Sequence, residues 1–324
     1  MYNPIKQLPE DLKPSVPVTA SELPLIKYIR KHFSKERKEI KVGIGDDAMV
    51  FKNGIVVSTD SFAESVHFDW RYFSKFALGY RTMAGSLSDL AAMAAKPICA
   101  LISLYLPKTT TGKDIAELYK GFYAIGKRFK LDISGGDIIE SPFWGVTITV
   151  IGYTKKPLLR CGARPGQSLY VTNYLGLAEV GRLVLLKNLS RKKFPEAVRQ
   201  HLLPMPRVEE AYKIRKYATS CIDTSDGLST DASHLSEESG VKVIIDAARI
   251  KLHPEVAKFC GLKKIDPLKF VLSAGEDFEL LFTAGTVPSR ISFQIGRIEK
   301  GKGLFLQTKR GLQFIKPSGY EHLK

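Results

Sequence analysis

The chain has 324 residues, of which 44% are hydrophobic and 25% charged, a composition ordinary for globular proteins and a length that favours two domains. No apolar run approaches the ~20 residues that cross a bilayer, and the start lacks the apolar segment of a signal peptide. We therefore expect a cytoplasmic protein with no membrane partner. The four cysteines form no CxxC pair, which disfavours disulfides and a zinc site.

The formal net charge of +16 indicates anionic partners. The basic residues are scattered, however, and the densest runs, Lys35 to Lys38 and Arg191 to Lys193, are short and lack aromatic residues on which bases stack. We expect a basic surface that attracts small anions and no nucleic-acid partner. The alternative from a different class is a nucleic-acid-binding protein whose acids are structural.

The first half of the chain is predicted to alternate strands with helices. Residues 1–20, rich in proline and polar groups, predict a loosely attached extension. Thr19-x-x-Glu22 fits a capping box, so a helix is predicted to begin after Thr19. Beyond it the pattern predicts strands over 55–60, 99–106 and 144–153 and helices over 74–95 and 112–129. Such alternation is typical of α/β or α+β layering, here an N-terminal domain over 21–153.

The segment 154–167 changes character abruptly and marks the predicted boundary of a C-terminal α/β domain over 154–324. The pattern beyond it predicts a strand at 168–172, helices near 175–188 and 207–218, and a third helix that ends near Gly240. The remainder is predicted as short strands and turns, with a hairpin around residues 309–311.

Six segments place acids beside apolar sequence. They are GIGDDAMVF (43–51), IVVSTD (55–60), GSLSDLAAM (85–93), LDISGGD (131–137), CIDTSDGL (221–228) and VLSAGEDFELLF (271–282). In each, apolar residues lead through small ones to Asp or Glu, which predicts strand or helix edges that present a carboxylate at their tips. Because a carboxylate beside buried surface needs a partner, and a divalent cation satisfies several at once, a shared metal site is predicted.

Seven aspartates carry this signal, and oxygen-only ligands of this kind suit Mg²⁺ rather than zinc or copper. They are Asp46, Asp47, Asp60, Asp89, Asp137, Asp223 and Asp226. One of them alone, such as Asp226, is equally typical of a helix cap. Seven together favour the metal interpretation.

Other catalytic signatures are weak or absent. Two stretches that begin at Gly121 and Gly296 fit GxxxxGK, but Arg128 and Gly303 stand where a phosphate loop needs Ser or Thr. The first stretch also lies inside a predicted helix. No HExxH or GxSxG occurs, which disfavours zincin and serine-hydrolase chemistry.

Several Mg²⁺ ions in one site imply highly anionic substrates, and two phosphate-bearing molecules brought together is the simplest case. Unit charges about 4 Å apart repel by about 4 kcal/mol at an effective dielectric near 20, so metals and a cation such as Arg160 are needed. A phosphate acceptor is already mostly dianionic at neutral pH and needs no general base. We therefore expect direct in-line transfer with no covalent nucleophile.

The ordered motifs GIGDDA, STD with His67 seven residues on, SDLAAM, GGD, IDTSDGL and GEDFELLF resemble those of thiamine-monophosphate kinases. This family belongs to the superfamily of aminoimidazole ribonucleotide synthetase and selenophosphate synthetase. The resemblance covers nearly the whole chain, from about residue 22 to Tyr320. It implies the two-domain fold of that superfamily, with an N-terminal mixed sheet, and ATP-dependent phosphorylation of thiamine monophosphate to thiamine diphosphate with Mg²⁺. It also implies a homodimer that joins the N-terminal sheets.

The resemblance also implies roles for single residues. The Mg²⁺ ligands would be Asp47, Ser58, Thr59, Asp60, Asp89, Asp137, Asp223 and Asp226, with Asp46 in support. ATP would be bound by Gly136, Asp137, Arg160 and Ser225. Thiamine monophosphate would be bound by His67, Glu276 and Tyr320, the last offering a ring face to a cation.

Four positions depart from the family pattern: Ile138 replaces the Thr of GGDT, Ala274 and Phe278 change GGEDYEL, and Ala94 changes AMGA. None removes a carboxylate, so we expect them to affect affinity more than the reaction. The rival enzymes fit less well. A selenophosphate synthetase would carry a reactive Cys near its start, whereas the first here is Cys99, and the related hydrogenase-maturation enzyme would end in Cys rather than Lys324. An aminoimidazole ribonucleotide synthetase lacks the STD-to-His pairing.

Overall fold

The computed structural model describes residues 22–35 and 37–322, and it contains two mixed β-sheets. The first sheet has the order β1-β2-β3-β6-β4-β5, with only β4 and β5 parallel. Its strands are β1 (Ile40–Val42), β2 (Met49–Phe51), β3 (Ile55–Ala63), β4 (Lys96–Leu106), β5 (Asp132–Glu140) and β6 (Gly145–Tyr153).

The second sheet has the order β13-β12-β9-β11-β7-β10-β8, and only β9 and β12 are parallel. Its strands are β7 (Ser168–Val171), β8 (Ala218–Asp223), β9 (Lys242–Asp246), β10 (Leu280–Ala284), β11 (Phe293–Glu299), β12 (Gly303–Thr308) and β13 (Gly311–Phe314). The two sheets confirm the predicted α/β fold class.

The described residues contain α-helices, some of which pack on the sheets and others on neighbouring helices. They are α1 (Glu22–Phe33), α2 (Lys75–Ala92), α3 (Gly112–Arg128), α4 (Leu177–Leu186), α5 (Pro195–Leu202), α6 (Val208–Ile214), α7 (Leu228–Ser239), α8 (Pro254–Lys263) and α9 (Pro267–Ser273). Within the described ranges, none of these helices combines the length and the apolar character needed to span a bilayer.

Helix α2 is the central element of the fold. Ser74 caps its start by accepting a hydrogen bond from the backbone N–H of Ala77. A Cβ at Gly79 would lie 2.1 Å from the carbonyl oxygen of Leu118, so glycine is what lets α2 and α3 pack backbone to backbone. The sequence predicts one apolar face for this helix. The structure buries nearly all sides, because α2 lies between the first sheet, α3 and the second sheet.

The two halves of the chain share one apolar core. The buried cluster that contains Leu87 and Val150 of the first half also contains Tyr170, Cys221 and Phe282 of the second. Residues 154–167, the predicted boundary, contain no helix or strand and link β6 to β7. The division into two domains stays a prediction, since apolar packing continues across it.

The predicted elements compare with the structure as follows. The strands and helices expected in the first half are present, and Gly240 ends α7 in the left-handed conformation, as predicted. Helices α5, α8 and α9 were not predicted. The expectation that carboxylates stand at strand tips is wrong for Asp60 and Asp137, because β3 and β5 each run three residues further. The capping residue predicted at Thr19 and the extension 1–20 lie outside the described residues.

Candidate active site

Three aspartates from distant parts of the chain converge. Asp47 lies in the turn between β1 and β2, Asp89 in the last turn of α2, and Asp223 at the end of β8. Each offers a carboxylate oxygen, and these oxygens lie within 4.8 Å of one another. Because Asp223 belongs to the second sheet and the others to the first half, the cluster forms only when the two halves are packed together.

Neighbouring polar groups fix the three carboxylates. The Ser88 hydroxyl donates to Asp223 Oδ2 at 2.6 Å, and the Ser58 hydroxyl forms a short hydrogen bond to Asp89 Oδ2. Arg160 approaches Asp47 Oδ1 with Nη2 at 2.7 Å and Nε at 3.1 Å. Ser88 was not assigned a role from the sequence, although it directly precedes Asp89 in the SDLAAM motif.

Two buried carboxylate oxygens of this region, Asp47 Oδ2 and Asp60 Oδ2, have no hydrogen-bond partner among the described residues. A buried acceptor without a donor is costly, and a cation removes that cost. The atoms available here to bind a metal ion are all oxygens, the ligand set that Mg²⁺ prefers. The residues therefore fit the predicted metal.

The pKa values of the aspartates in and beside the cluster are raised, as expected for buried carboxylates that lie close together. Burial, and then the charge of Asp47, raises the pKa of Asp223 to about 7, and the same two causes raise the pKa of Asp46 to about 7. Burial, followed by the charge of Asp60, also raises the pKa of Asp89. Carboxylates held this close tend to retain a proton unless a cation neutralises their charge.

Asp46 faces a different way from Asp47. Its carboxylate accepts hydrogen bonds from the backbone N–H of Arg160 at 3.1 Å and from that of Asp47 at 3.1 Å. It thereby holds the backbone of the arginine beside the cluster, which agrees with a supporting rather than a ligating position.

The loop that follows β8 carries Ser225 and Asp226 and joins the cluster to a second group of residues. The backbone N–H of Glu276 donates to the Ser225 carbonyl at 2.7 Å, and that of Tyr320 donates to the Asp226 carbonyl at 2.9 Å. A Cβ at Gly319 would lie 2.1 Å from the same Asp226 carbonyl, so glycine permits this close approach. Two residues predicted to bind the acceptor are thus anchored to the loop of a predicted metal ligand.

A pocket of about 240 Å³ opens beside this loop. It is lined by Arg160, Ser225, Asp226 and Tyr320 together with residues of α1. Burial, and then the charge of Glu22 on α1, raises the pKa of Asp226 to about 6. The pocket therefore places Arg160 and Ser225, which are predicted to bind the nucleotide, next to Asp226, whose ionised form a cation would stabilise.

His67 lies at the edge of the same region. Its Nδ1 accepts a hydrogen bond from the backbone N–H of Ala63 at 3.1 Å, so the neutral ring carries its proton on Nε2. Burial lowers the pKa of His67, and the nearby charge of Glu276 opposes this effect. The ring of His322 is 5.4 Å away and that of Phe62 is 5.6 Å away.

Thr59 and Asp137 do not join the cluster within one chain. Thr59 points to the sheet face opposite to its neighbours in β3, where it bonds Thr149 at 3.1 Å. Asp137 on edge strand β5 pairs in register through β4 and β6 with Ser61, three strands away, which corresponds to about 14 Å. Gly136 precedes it on the same edge strand.

Three of the departures from the family pattern have different surroundings. Ile138 is exposed on β5, whereas Ala274 and Phe278 are buried. A Cβ at Gly85 of α2 would lie 3.3 Å from the ring tip of Phe278, so this ring packs directly against the helix. The phenylalanine thus acts as a packing residue at the junction of the two halves.

Comparison with known proteins agrees with this architecture. Residues 45–154 match the family model described as "AIR synthase related protein, N-terminal domain". The first half of the chain therefore contains the N-terminal domain of the AIR synthase related class.

Relatives narrow this class. The thiamine-monophosphate kinase of Aquifex aeolicus (strain VF5) is 33% identical over 89% of this chain and 95% of its own, and that of Rhodopirellula baltica is 32% identical over 93% and 97%. A solved structure described as "AaThiL complexed with AMPPCP and TMP" has a TM-score of 0.86 and 32% identity over 93% of this chain and 97% of its own. The chain belongs to the thiamine-monophosphate kinase family.

Proposed function

We propose that the protein transfers the γ-phosphoryl group of ATP to thiamine monophosphate, which yields thiamine diphosphate. The observation that carries this proposal is the cluster of Asp47, Asp89 and Asp223 beside the loop that anchors Glu276 and Tyr320. The names of the relatives and the ligands of the solved neighbour, a nucleotide analogue and TMP, support the same substrates.

We assign the metal site to oxygen ligands from both halves of the chain. Several Mg²⁺ ions would be held by Asp47, Ser58, Asp60, Asp89, Asp223 and Asp226. When bound, Mg²⁺ neutralises the phosphate charges that otherwise keep the two substrates apart. Asp46 keeps the backbone of Arg160 in place, and Arg160 and Ser225 line the pocket for the nucleotide phosphates.

The acceptor side of the site needs recognition rather than acid–base catalysis. Thiamine monophosphate combines a cationic ring with a phosphate whose dianion is itself the nucleophile, so no general base or covalent intermediate is required. Glu276 offers negative charge, Tyr320 a half-exposed ring face, and His67 an Nε2–H donor. Direct in-line transfer follows from this division of roles.

We further propose that the active protein is a homodimer joined through the first sheet. Edge strand β5 is exposed along almost its whole length, including Ile138 and Ile139, and Leu101 of the adjacent β4 is exposed too. An open apolar edge of this kind favours pairing with a second strand. In such a dimer, Gly136 and Asp137 would also lie near the nucleotide and metals of the second copy, whereas within one chain they do not reach the carboxylate cluster.

The experiment is a product assay. Purified protein with ATP, Mg²⁺ and thiamine monophosphate should form thiamine diphosphate and ADP in equal amounts, and chelation of the metal should stop the reaction. Thiamine itself should not replace the monophosphate. Absence of thiamine diphosphate, with the protein folded and Mg²⁺ present, would contradict the proposal.

A further inference from the structure

Arg81 is the one charged side chain between Lys75 and Asp89 of α2, and it is only 1% exposed. A fully buried guanidinium needs partners for its N–H groups. Its Nη1 donates a short hydrogen bond to the backbone carbonyl of His201. Its Nη2 has no hydrogen-bond partner among the described residues and forms an ion pair with Glu276 Oε2 at 2.5 Å. The arginine thus connects the first half of the chain with two segments of the second.

Glu276 sits on an unusual backbone. Its φ is +61° and that of Phe278 is +53°, the left-handed region that non-glycine residues rarely adopt. Backbone hydrogen bonds from these two residues to the loop after β8 hold this conformation. The backbone fixes where the Glu276 side chain starts, but not where its flexible carboxylate ends.

Arg81 supplies the missing restraint. Because one N–H of the guanidinium donates to a backbone carbonyl, the main chain restrains the direction of the group. The ring of Phe278, 5.8 Å from the guanidinium carbon, limits its movement on one side. The side chain of Glu276 is about one third exposed while it is paired, so it is not closed off from a ligand.

We propose that Arg81 is a positioning residue for the acceptor site, which orients the Glu276 carboxylate toward the cationic part of thiamine monophosphate. This inference rests on the proposed function and adds a residue that does not itself contact substrate. Since α2 also carries Asp89 of the metal cluster, the same helix would set the position of both the metal side and the acceptor side of the site.

Steady-state kinetics of Arg81→Met tests this role. We expect the KM for thiamine monophosphate to rise about 10-fold while the KM for ATP stays within about 2-fold, since only the acceptor contact loses its restraint. Arg81→Lys keeps the charge but cannot reach both partners, so about a 3-fold rise is expected. The matched control is Arg128→Met, which removes an exposed arginine that also pairs with a glutamate of the other half, Glu209, and should change neither KM.

A double-mutant cycle separates positioning from a structural effect. If Arg81 acts through Glu276, adding Arg81→Met to Glu276→Gln should raise the KM for thiamine monophosphate no further. Multiplying effects, or a KM in Arg81→Met equal to that of Arg128→Met, would overturn the proposal. Should Arg81→Met not fold, the same cycle with Arg81→Lys decides the question. A wild-type protein that makes no thiamine diphosphate would instead refute the proposed function.

Discussion

Two groups of buried carboxylates lie close together in this protein and have opposite surroundings. Asp277 and Glu279 lie in the segment that follows Glu276, and protein groups satisfy them. The backbone N–H groups of Gly176 and Ala178 donate to Asp277, and Arg207 and Thr172 contact Glu279. The cluster of Asp47, Asp89 and Asp223 instead directs carboxylates at one another.

The difference shows how acids of one motif can have separate roles. Asp277 caps the start of α4 and Glu279 forms a buried ion pair, so both stabilise the fold without any ligand. Glu276, one residue earlier, keeps part of its side chain exposed, and Asp47 keeps a buried oxygen without a donor among the described residues. Acids of this second kind are satisfied only in part by their arginine partners, Arg81 and Arg160.

The largest effect is expected from Asp47→Asn and Asp223→Asn. Either change removes a charged side chain of the proposed metal site, so kcat should fall on the order of 100- to 1000-fold. The melting temperature of the metal-free protein should not fall in Asp223→Asn, because this change removes one of several mutually repelling charges. In Asp47→Asn it should fall, because Arg160 loses its buried charged partner. Product formation at saturating substrates and thermal melts in chelator provide the two readouts. Normal turnover in both variants would remove the metal assignment.

Glu279→Gln should have the reverse signature. It leaves the largely buried Arg207 without its charged partner, which costs about 3 kcal/mol of the free energy of unfolding, while the folded protein keeps its kcat. The matched control is Glu299→Gln, which affects a partly exposed pair with Arg297 and should cost less than about 1 kcal/mol. Urea unfolding with parallel activity assays distinguishes the two, and a catalytic loss at full stability would contradict this role.

Stabilisation by Mg²⁺ should grow with pH. The pKa of Asp223 is raised from 3.8 to about 7, so the metal-free folded protein binds more protons than the unfolded chain between these values. The contribution of Asp223 to the stability of the metal-free protein is present at low pH and is lost as pH rises through about 7. Mg²⁺ binds the ionised carboxylates, so the stabilisation it adds, measured as a shift in melting temperature, should be larger at about pH 8 than at about pH 6. At a free Mg²⁺ concentration 100-fold above Kd, this stabilisation should reach about 2.7 kcal/mol. A shift independent of pH would argue against these ligands.

The smallest effect is expected from Ser88→Ala. This change removes the hydroxyl that donates to Asp223 and should raise the Mg²⁺ concentration for half-maximal activity about 10-fold, with little loss at saturating Mg²⁺. Thr82→Ala is the control on the same helix, because that hydroxyl bonds the Leu78 carbonyl and not an acid. Equal behaviour of the two variants would show that Ser88 does not orient Asp223.

The sequence predicted the fold class and which aspartates face a common region better than it predicted the contacts that orient them. Asp47, Asp89 and Asp223 could be found from the sequence because each stands beside an apolar run, a local pattern that indicates a buried carboxylate. Arg81 leaves only a lone charge in an apolar helix, since its partners are 120 and 195 residues away in the chain. The metal and substrate roles remain predictions.

The same limit explains Asp137. Its motif predicts a ligand, but only strand register shows that two strands, β4 and β6, lie between Asp137 and β3, and that Asp137 lies on the sheet face opposite to Asp60. Strand order depends on long-range pairing, which a local pattern of Gly and Asp does not encode. A partner chain is the arrangement that would reconcile motif and register.

Binding of Mn²⁺ followed by electron paramagnetic resonance tests the central claim most directly, because Mn²⁺ accepts the same oxygen ligands as Mg²⁺. With a non-hydrolysable ATP analogue present, the wild-type protein should bind Mn²⁺, and Asp47→Asn from one half and Asp223→Asn from the other should each weaken binding at least about 10-fold. Unchanged Mn²⁺ affinity in either variant would contradict a metal site shared between the two halves.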